Sequence, residues 1–208
     1  MSSRVTLITP AMSRSLRQAR FGDGEDGDAI DDSAAARARS AAGSLPRAAR
    51  VRTSPSARCH QTAAALGLDG TDAAELSGLN VGRWTGRTLD EVGAAEPEAV
   101  GRWLADPACA PHGGESVREL CGRVARWLDA LPAAGRTLAV VEPEVVRAAV
   151  VHVLGLPGPA FWRLDVPPLT ATELSGRAGR WNLRLGQALP ASSSPSSPPR
   201  PPDTAAER

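Results

Sequence analysis

Val5-Thr-Leu-Ile-Thr-Pro-Ala-Met-Ser13 is the stretch on which the fold turns. Val5 to Ile8 is an uncharged run with two β-branched residues besides Ile8, the pattern of a strand buried on both faces. Pro10 ends it, because proline offers no backbone N–H and holds Thr9 extended. In an open α/β sheet, ligands sit beyond the carboxyl ends of the strands. The loop at Thr9-Pro10-Ala11 is therefore the first place to look for chemistry, and it holds no ionisable side chain.

Working outward, Ser13 to Arg20 reads as a short helix. Phe21 to Asp28 is acidic and Gly-rich and reads as a solvated loop; it lacks the alternating oxygen ligands and closing Glu of a calcium loop. Ala34 to Ala42 is helical by propensity. Ala49 to Thr53 is a second short strand, closed by Ser54-Pro55, with a helix from Ser56 to Leu66 stopped by Gly67. Leu76 to Gly86 is irregular. Thr88-x-x-Glu91 and Ser116-x-x-Glu119 both have the form of a capping box. Behind the second, Val117, Leu120, Cys121, Val124, Trp127, Leu128 and Leu131 share one helical face. Thr137 to Val141 is another buried strand, running into Glu142-Pro143-Glu144 and a helix from Val145 to Leu154. Phe161 to Leu185 suggests two edge strands joined at Gly176-Arg-Ala-Gly179.

Strands alternating with helices predict a three-layer α/β/α domain with a mainly parallel central sheet. That domain is expected over residues 1–189. The Ser/Pro-rich segment 190–208 has too few apolar residues to offset its ordering entropy, so it is expected to be a disordered tail.

Composition narrows the function classes. The 208 residues carry a formal net charge of +1, which gives no reason to expect a nucleic-acid or membrane surface. No apolar run approaches the roughly 20 residues of a membrane helix. Met1-Ser-Ser-Arg4 is not a charged segment followed by an apolar h-region, so no signal peptide is expected. Three cysteines, odd in number and without a CxxC, suit reduced thiols in a cytoplasm.

Taken together, several segments resemble the histidine phosphatase (phosphoglycerate mutase-like) superfamily. Val5 to Met12 sits where that family has a strand running into Arg-His-Gly-Glu. Thr53-Ser-Pro-Ser-Ala-Arg-Cys-His-Gln-Thr-Ala63 resembles its Ser-Pro-x-x-Arg-x-x-Gln-Thr-Ala segment. Leu76 to Gly86, His112-Gly-Gly-Glu-Ser116 and Leu138 to Pro157 resemble three further segments, in order and at matching spacing from about Arg4 to Leu185.

The resemblance implies phosphoryl transfer to a histidine nitrogen and then to water. That needs a nucleophilic His, an anion pocket of two Arg and a second His, and an acid for the leaving group. In this sequence the first Arg falls on Thr9, the nucleophile on Pro10, the general acid on Gly78 and the second His on Glu142; the second pocket arginine remains as Arg58. A carboxylate about 4 Å from a phosphate costs roughly 4 kcal/mol per unit charge at an effective dielectric near 20. That is about a thousandfold against binding.

The resemblance therefore implies a pseudophosphatase, a domain that binds an unknown protein partner or a small phosphorylated ligand, with no cofactor and no metal. The alternative is a phosphomonoesterase or mutase with a relocated site. His112, Glu115, Ser116 and Glu144 are candidate pocket-rim residues, and His112 is the one histidine on a loop near the pocket. His60 is expected to be a partly exposed helix residue, and Cys59 beside it forms no dyad, because adjacent helix residues diverge. A further expectation is that Arg58, having lost its phosphate, pairs with Glu142 across the pocket. The plain structural readings are a helix-start arginine for Arg58, a core aromatic for Trp84, and a turn with a helix cap for residues 112–116.

Overall fold

The computed structural model describes residues 2–22, 29–177 and 180–190. Most of the acidic loop, the last two residues of Gly176-Arg-Ala-Gly179, and the tail beyond Pro190 lie outside the described residues.

Strand β1 (Ser3–Ile8) occupies the middle of a six-stranded sheet. It is followed by a single helical turn α1 (Arg14–Arg17), helix α2 (Asp32–Ala41), strand β2 (Arg50–Thr53), helix α3 (Ala57–Ala65) and the short strand β3 (Thr71–Asp72). Helices α4 (Leu89–Ala95), α5 (Pro97–Ala105) and α6 (Val117–Asp129) then lead to strand β4 (Gly135–Val140) and helix α7 (Pro143–Leu154). A hairpin of β5 (Thr170–Arg177) and β6 (Arg180–Ala188) closes the domain.

The strand order is β3-β2-β4-β1-β5-β6. The β1–β4, β4–β2 and β2–β3 pairs are parallel, and β5 and β6 add on antiparallel. The two apolar runs Val5–Ile8 and Thr137–Val141 lie side by side, their strands in register from Ser3↔Gly135 to Ile8↔Val140. They are buried on both faces because strand alternation feeds two cores. Val5, Leu7 and Ala139 pack with Leu120, Val124 and Leu128 of α6 and Val145 and Ala149 of α7. Ile8 and Val140 face Ala34 and Ala38 of α2 and Cys59 and Ala63 of α3.

Three sequence expectations shift. The helix after the first loop spans only Arg14–Arg17, capped by the Ser13 hydroxyl on the Leu16 N–H. The final hairpin does not supply two edge strands: β5 is an inner strand on β1 and only β6 is an edge. An apolar inner face and an antiparallel partner suffice to place β5 there without a crossover helix. Residues 158–163 form a 3₁₀ turn rather than a strand, as proline at its start favours.

Helix α6 shows the local logic most clearly. Ser116 Oγ accepts from the Glu119 N–H at 3.2 Å while the Glu119 carboxylate accepts from the Ser116 N–H at 2.8 Å. Behind this box, Val117, Leu120, Val124 and Leu128 are buried, with Cys121, Trp127 and Leu131 beside them. Ser116→Ala is expected to cost about 1 kcal/mol, a drop of about 2–4 °C in the thermal midpoint for a domain of this size, measurable by circular dichroism.

Candidate functional site

Because β2 and β4 are paired through Thr53↔Val140, the loops leaving their carboxyl ends emerge together. One runs through Ser54 and Pro55 into α3, the other through Val141 and Glu142 into α7. Ser56 caps α3: its Oγ accepts from the Cys59 N–H at 3.3 Å and donates to Glu142 Oε1 at 2.6 Å. Glu142 is itself the N-cap residue of α7. The starts of two helices thus converge on one carboxylate.

Arg58 completes the junction. Its Nε donates to Glu142 Oε1 and Oε2 at 3.0 and 2.9 Å, and its Nη2 lies 2.7 Å from Oε2. A second arm, Nη1, donates to Ser15 Oγ at 3.3 Å, tying in the segment after β1. Both side chains are almost wholly buried, at 6% and 3% exposure. This is the pairing expected from the sequence, in the bifurcated, charge-assisted form that makes such contacts strong.

A cavity of about 270 Å³ opens beside the pair, lined among others by Ser54, Ser56, Arg58, Ser77, Gly78, Asn80, Thr85, Glu142 and Glu144. Gly78 stands against the two carboxylates. A Cβ there would meet Glu144 Oε1 at 2.8 Å and Glu142 Cγ at 3.2 Å. Half-buried Glu144 accepts from the Leu79 N–H at 3.1 Å. Loss of hydration and the nearby Glu142 charge push its pKa above the usual carboxylate range.

Other residues singled out in the sequence sit elsewhere. Thr9 is 1% exposed, and its Oγ1 donates to the Pro167 carbonyl at 2.7 Å and accepts from the Thr170 N–H at 3.0 Å. Thr9 and buried Pro10 therefore strap the first loop to the start of β5 rather than line the cavity. His112 is not a rim residue: it is 1% exposed and wedged between Trp84 and Trp103, with ring centroids 5.0 and 6.1 Å away. Its Nδ1 accepts from the Gly114 N–H at 3.0 Å, and its Nε2 is buried with no hydrogen-bond partner among the described residues. Burial, then the charge of Arg83, lower its pKa and hold it neutral. The turn that presents it is held by close backbone approach, since a Cβ on Gly82 would meet the His112 carbonyl oxygen at 2.3 Å.

Glu115 pairs with Arg123 at 2.7 Å along a neighbouring groove, and Ser116 serves α6 as its cap. Exposed His60 pairs with Asp72 at 2.6 Å. Cys59 lies 3.6 Å from Glu142 Oε1, and burial followed by that negative charge pushes its thiol pKa well up, so it is a packed thiol and no nucleophile. Trp84 is fully buried and donates from Nε1 to Glu96 at 3.2 Å. The part of Ser15 in the Arg58 network escaped sequence reasoning, because it depends on where a short helix after β1 turns back.

The family model for the histidine phosphatase superfamily (branch 1) matches residues 14–188, and the chain belongs to that superfamily. Over 96 residues it is 38% identical to "Bifunctional protein Rv2228c" of Mycobacterium tuberculosis, covering 43% of this chain and 26% of the relative. The chain thus spans about a quarter of the length of the curated relatives it matches. Among solved structures it resembles a mycobacterial glucosyl-3-phosphoglycerate phosphatase (TM-score 0.75, 22% identity, 90% of this chain and 100% of the other). It also resembles the alpha-ribazole phosphatase of Shigella flexneri (TM-score 0.77, 17% identity, 92% and 99%). At these identities the likeness is one of fold.

Two expectations follow from the geometry. Glu142→Ala strands a buried guanidinium without its carboxylate and should cost roughly 3–5 kcal/mol. Arg58→Ala/Glu142→Ala together should cost clearly less than the sum of the single changes, read from urea denaturation. Glu144, with its folded pKa raised, contributes stability at low pH that is lost as pH rises through the raised value. Glu144→Gln, which mimics the protonated acid, should therefore match the parent near pH 4 and exceed it at neutral pH in thermal melts across pH.

Proposed function

We propose that this is a histidine phosphatase-family domain that has given up phosphoryl transfer and acts by binding a ligand or partner. The observation that carries this reading is the buried Arg58–Glu142 pair. At the end of β4, where the family resemblance puts a histidine that helps hold the phosphate, a carboxylate satisfies the arginine from inside the protein. An incoming phosphate would have to displace Glu142 from Arg58 and Ser56 or sit beside it against like-charge repulsion.

The surrounding positions support the same reading. Thr9 is committed to hydrogen bonds with Pro167 and Thr170, Pro10 offers no nucleophile, and Gly78 offers no proton. The relocated-site alternative asks most of His112, whose two nitrogens are one bonded to the backbone and one buried against indole rings. Such a histidine meets neither substrate nor water.

Hydrolysis of an aryl phosphate by the full chain, with vanadate as control, tests the proposal. The expected result is no turnover above buffer between pH 5 and pH 8. Vanadate-sensitive turnover that disappears in His112→Ala would overturn it.

A further inference from the structure

A second polar surface lies at the opposite ends of the same strands. Val5, Leu7 and Leu174 point into the core with α6 and α7, so alternation turns Arg4, Thr6, Glu173 and Ser175 to the other side of the sheet. On that side α3 packs over β2 and β4. Beside it a groove of about 380 Å³ runs across β4, β1, β5 and β6. Its Arg136 lies six residues back along β4 and its exit from Glu142 of the Arg58 cavity, about 20 Å at the usual strand rise.

The register sets its chemistry. Arg136, Arg4, Ser175 and Asn182 stand in one row across four strands, and Thr6, Glu173 and Arg184 in the next. Arg4 and Arg136 are direct partners on adjacent strands, about 4.8 Å apart at the backbone. Like charges set opposite each other destabilise a sheet. Neither guanidinium has a hydrogen-bond or ion-pair partner among the described residues. Arg184 lies 3.6 Å from Glu173, the one carboxylate among the groove's lining residues. Two positive charges remain uncompensated on one short stretch of sheet.

We propose that this groove binds a small phosphate-bearing ligand, its dianionic phosphate held between Arg4 and Arg136 with Ser175 and Asn182 alongside. Arginine forks suit phosphate oxygens in paired contacts, and a phosphate monoester carries about −1.5 to −2 charges, matching the excess. A single carboxylate would leave one arginine uncompensated. The groove's volume falls at the small-molecule end of ligand sites, too small for a docked domain. The site stands apart from the Arg58 cavity and does not depend on how that cavity is read.

Calorimetric titration of the full chain with inorganic phosphate and with phenylphosphonate, a dianion that cannot be hydrolysed, tests the site at fixed ionic strength. Both are expected to bind, and phosphate is expected to raise the thermal midpoint. Arg4→Gln and Arg136→Gln should each weaken binding tenfold or more. Arg4→Gln/Arg136→Gln should abolish binding and the thermal shift, while exposed Arg102→Gln on α5 should change neither. Arg4→Lys/Arg136→Lys keeps the charge but loses the fork, and should bind with intermediate affinity. Absence of binding at millimolar phosphate would overturn the proposal. So would binding that survives in Arg4→Gln/Arg136→Gln, or binding lost instead in Arg58→Gln, which would put the anion in the Arg58 cavity.

Discussion

The buried ion pair between Arg58 and Glu142 is the constraint to which the rest of this site answers. Two full charges at 6% and 3% exposure lose most of their hydration, a cost of several kcal/mol per ion. Their attraction offsets that only with good geometry and with the remaining donors and acceptors satisfied. Here Ser56 donates to one carboxylate oxygen, and Ser15 accepts from the far arm of the guanidinium. The pair gathers three segments: the loop after β1, the cap of α3 and the entry to α7. Breaking it exposes the cost of each ion separately, which is why such a pair persists once formed whatever its net contribution.

The pair also limits what its neighbours can be. With Glu142 and Glu144 filling the space above residue 78, a Cβ at that position runs into Glu144 Oε1. Glycine at 78 thus leaves room for the carboxylate of Glu144, whose end would have to shift for a larger residue, and for the Glu142 side chain close beside it. An acidic side chain at position 78 would require the end of Glu144 to move, and it would then face two like charges.

How much of this the sequence made legible depended on how local each feature was. The central strands could be read because their apolar runs have no other place in a two-faced sheet, and both capping boxes because their partners sit three residues apart. The Arg58–Glu142 contact was legible only through the family resemblance, since 84 residues separate the partners and only strand order makes them neighbours. His112 was misplaced for the same reason: a histidine followed by two glycines reads as an exposed turn. Its burial comes from Trp84 and Trp103, which are distant in sequence and meet in a small separate core. The inner position of β5 escaped because two adjacent antiparallel strands carry no mark of which one meets β1.

A last consideration is electrostatic. Each helix start carries the equivalent of about half a positive charge, and α3 and α7 both begin at this junction. With Arg58 the local field amounts to about two positive charges, a setting suited to an anion. Glu142 cancels roughly half of it. Glu144, in the first turn of α7, can cancel much of the rest when ionised, yet burial raises its pKa and weakens that response. The junction therefore stays mildly positive or neutral rather than turning acidic, even with two carboxylates lining it. The fold keeps the backbone dipoles of an anion site, and the side chains supply the anion.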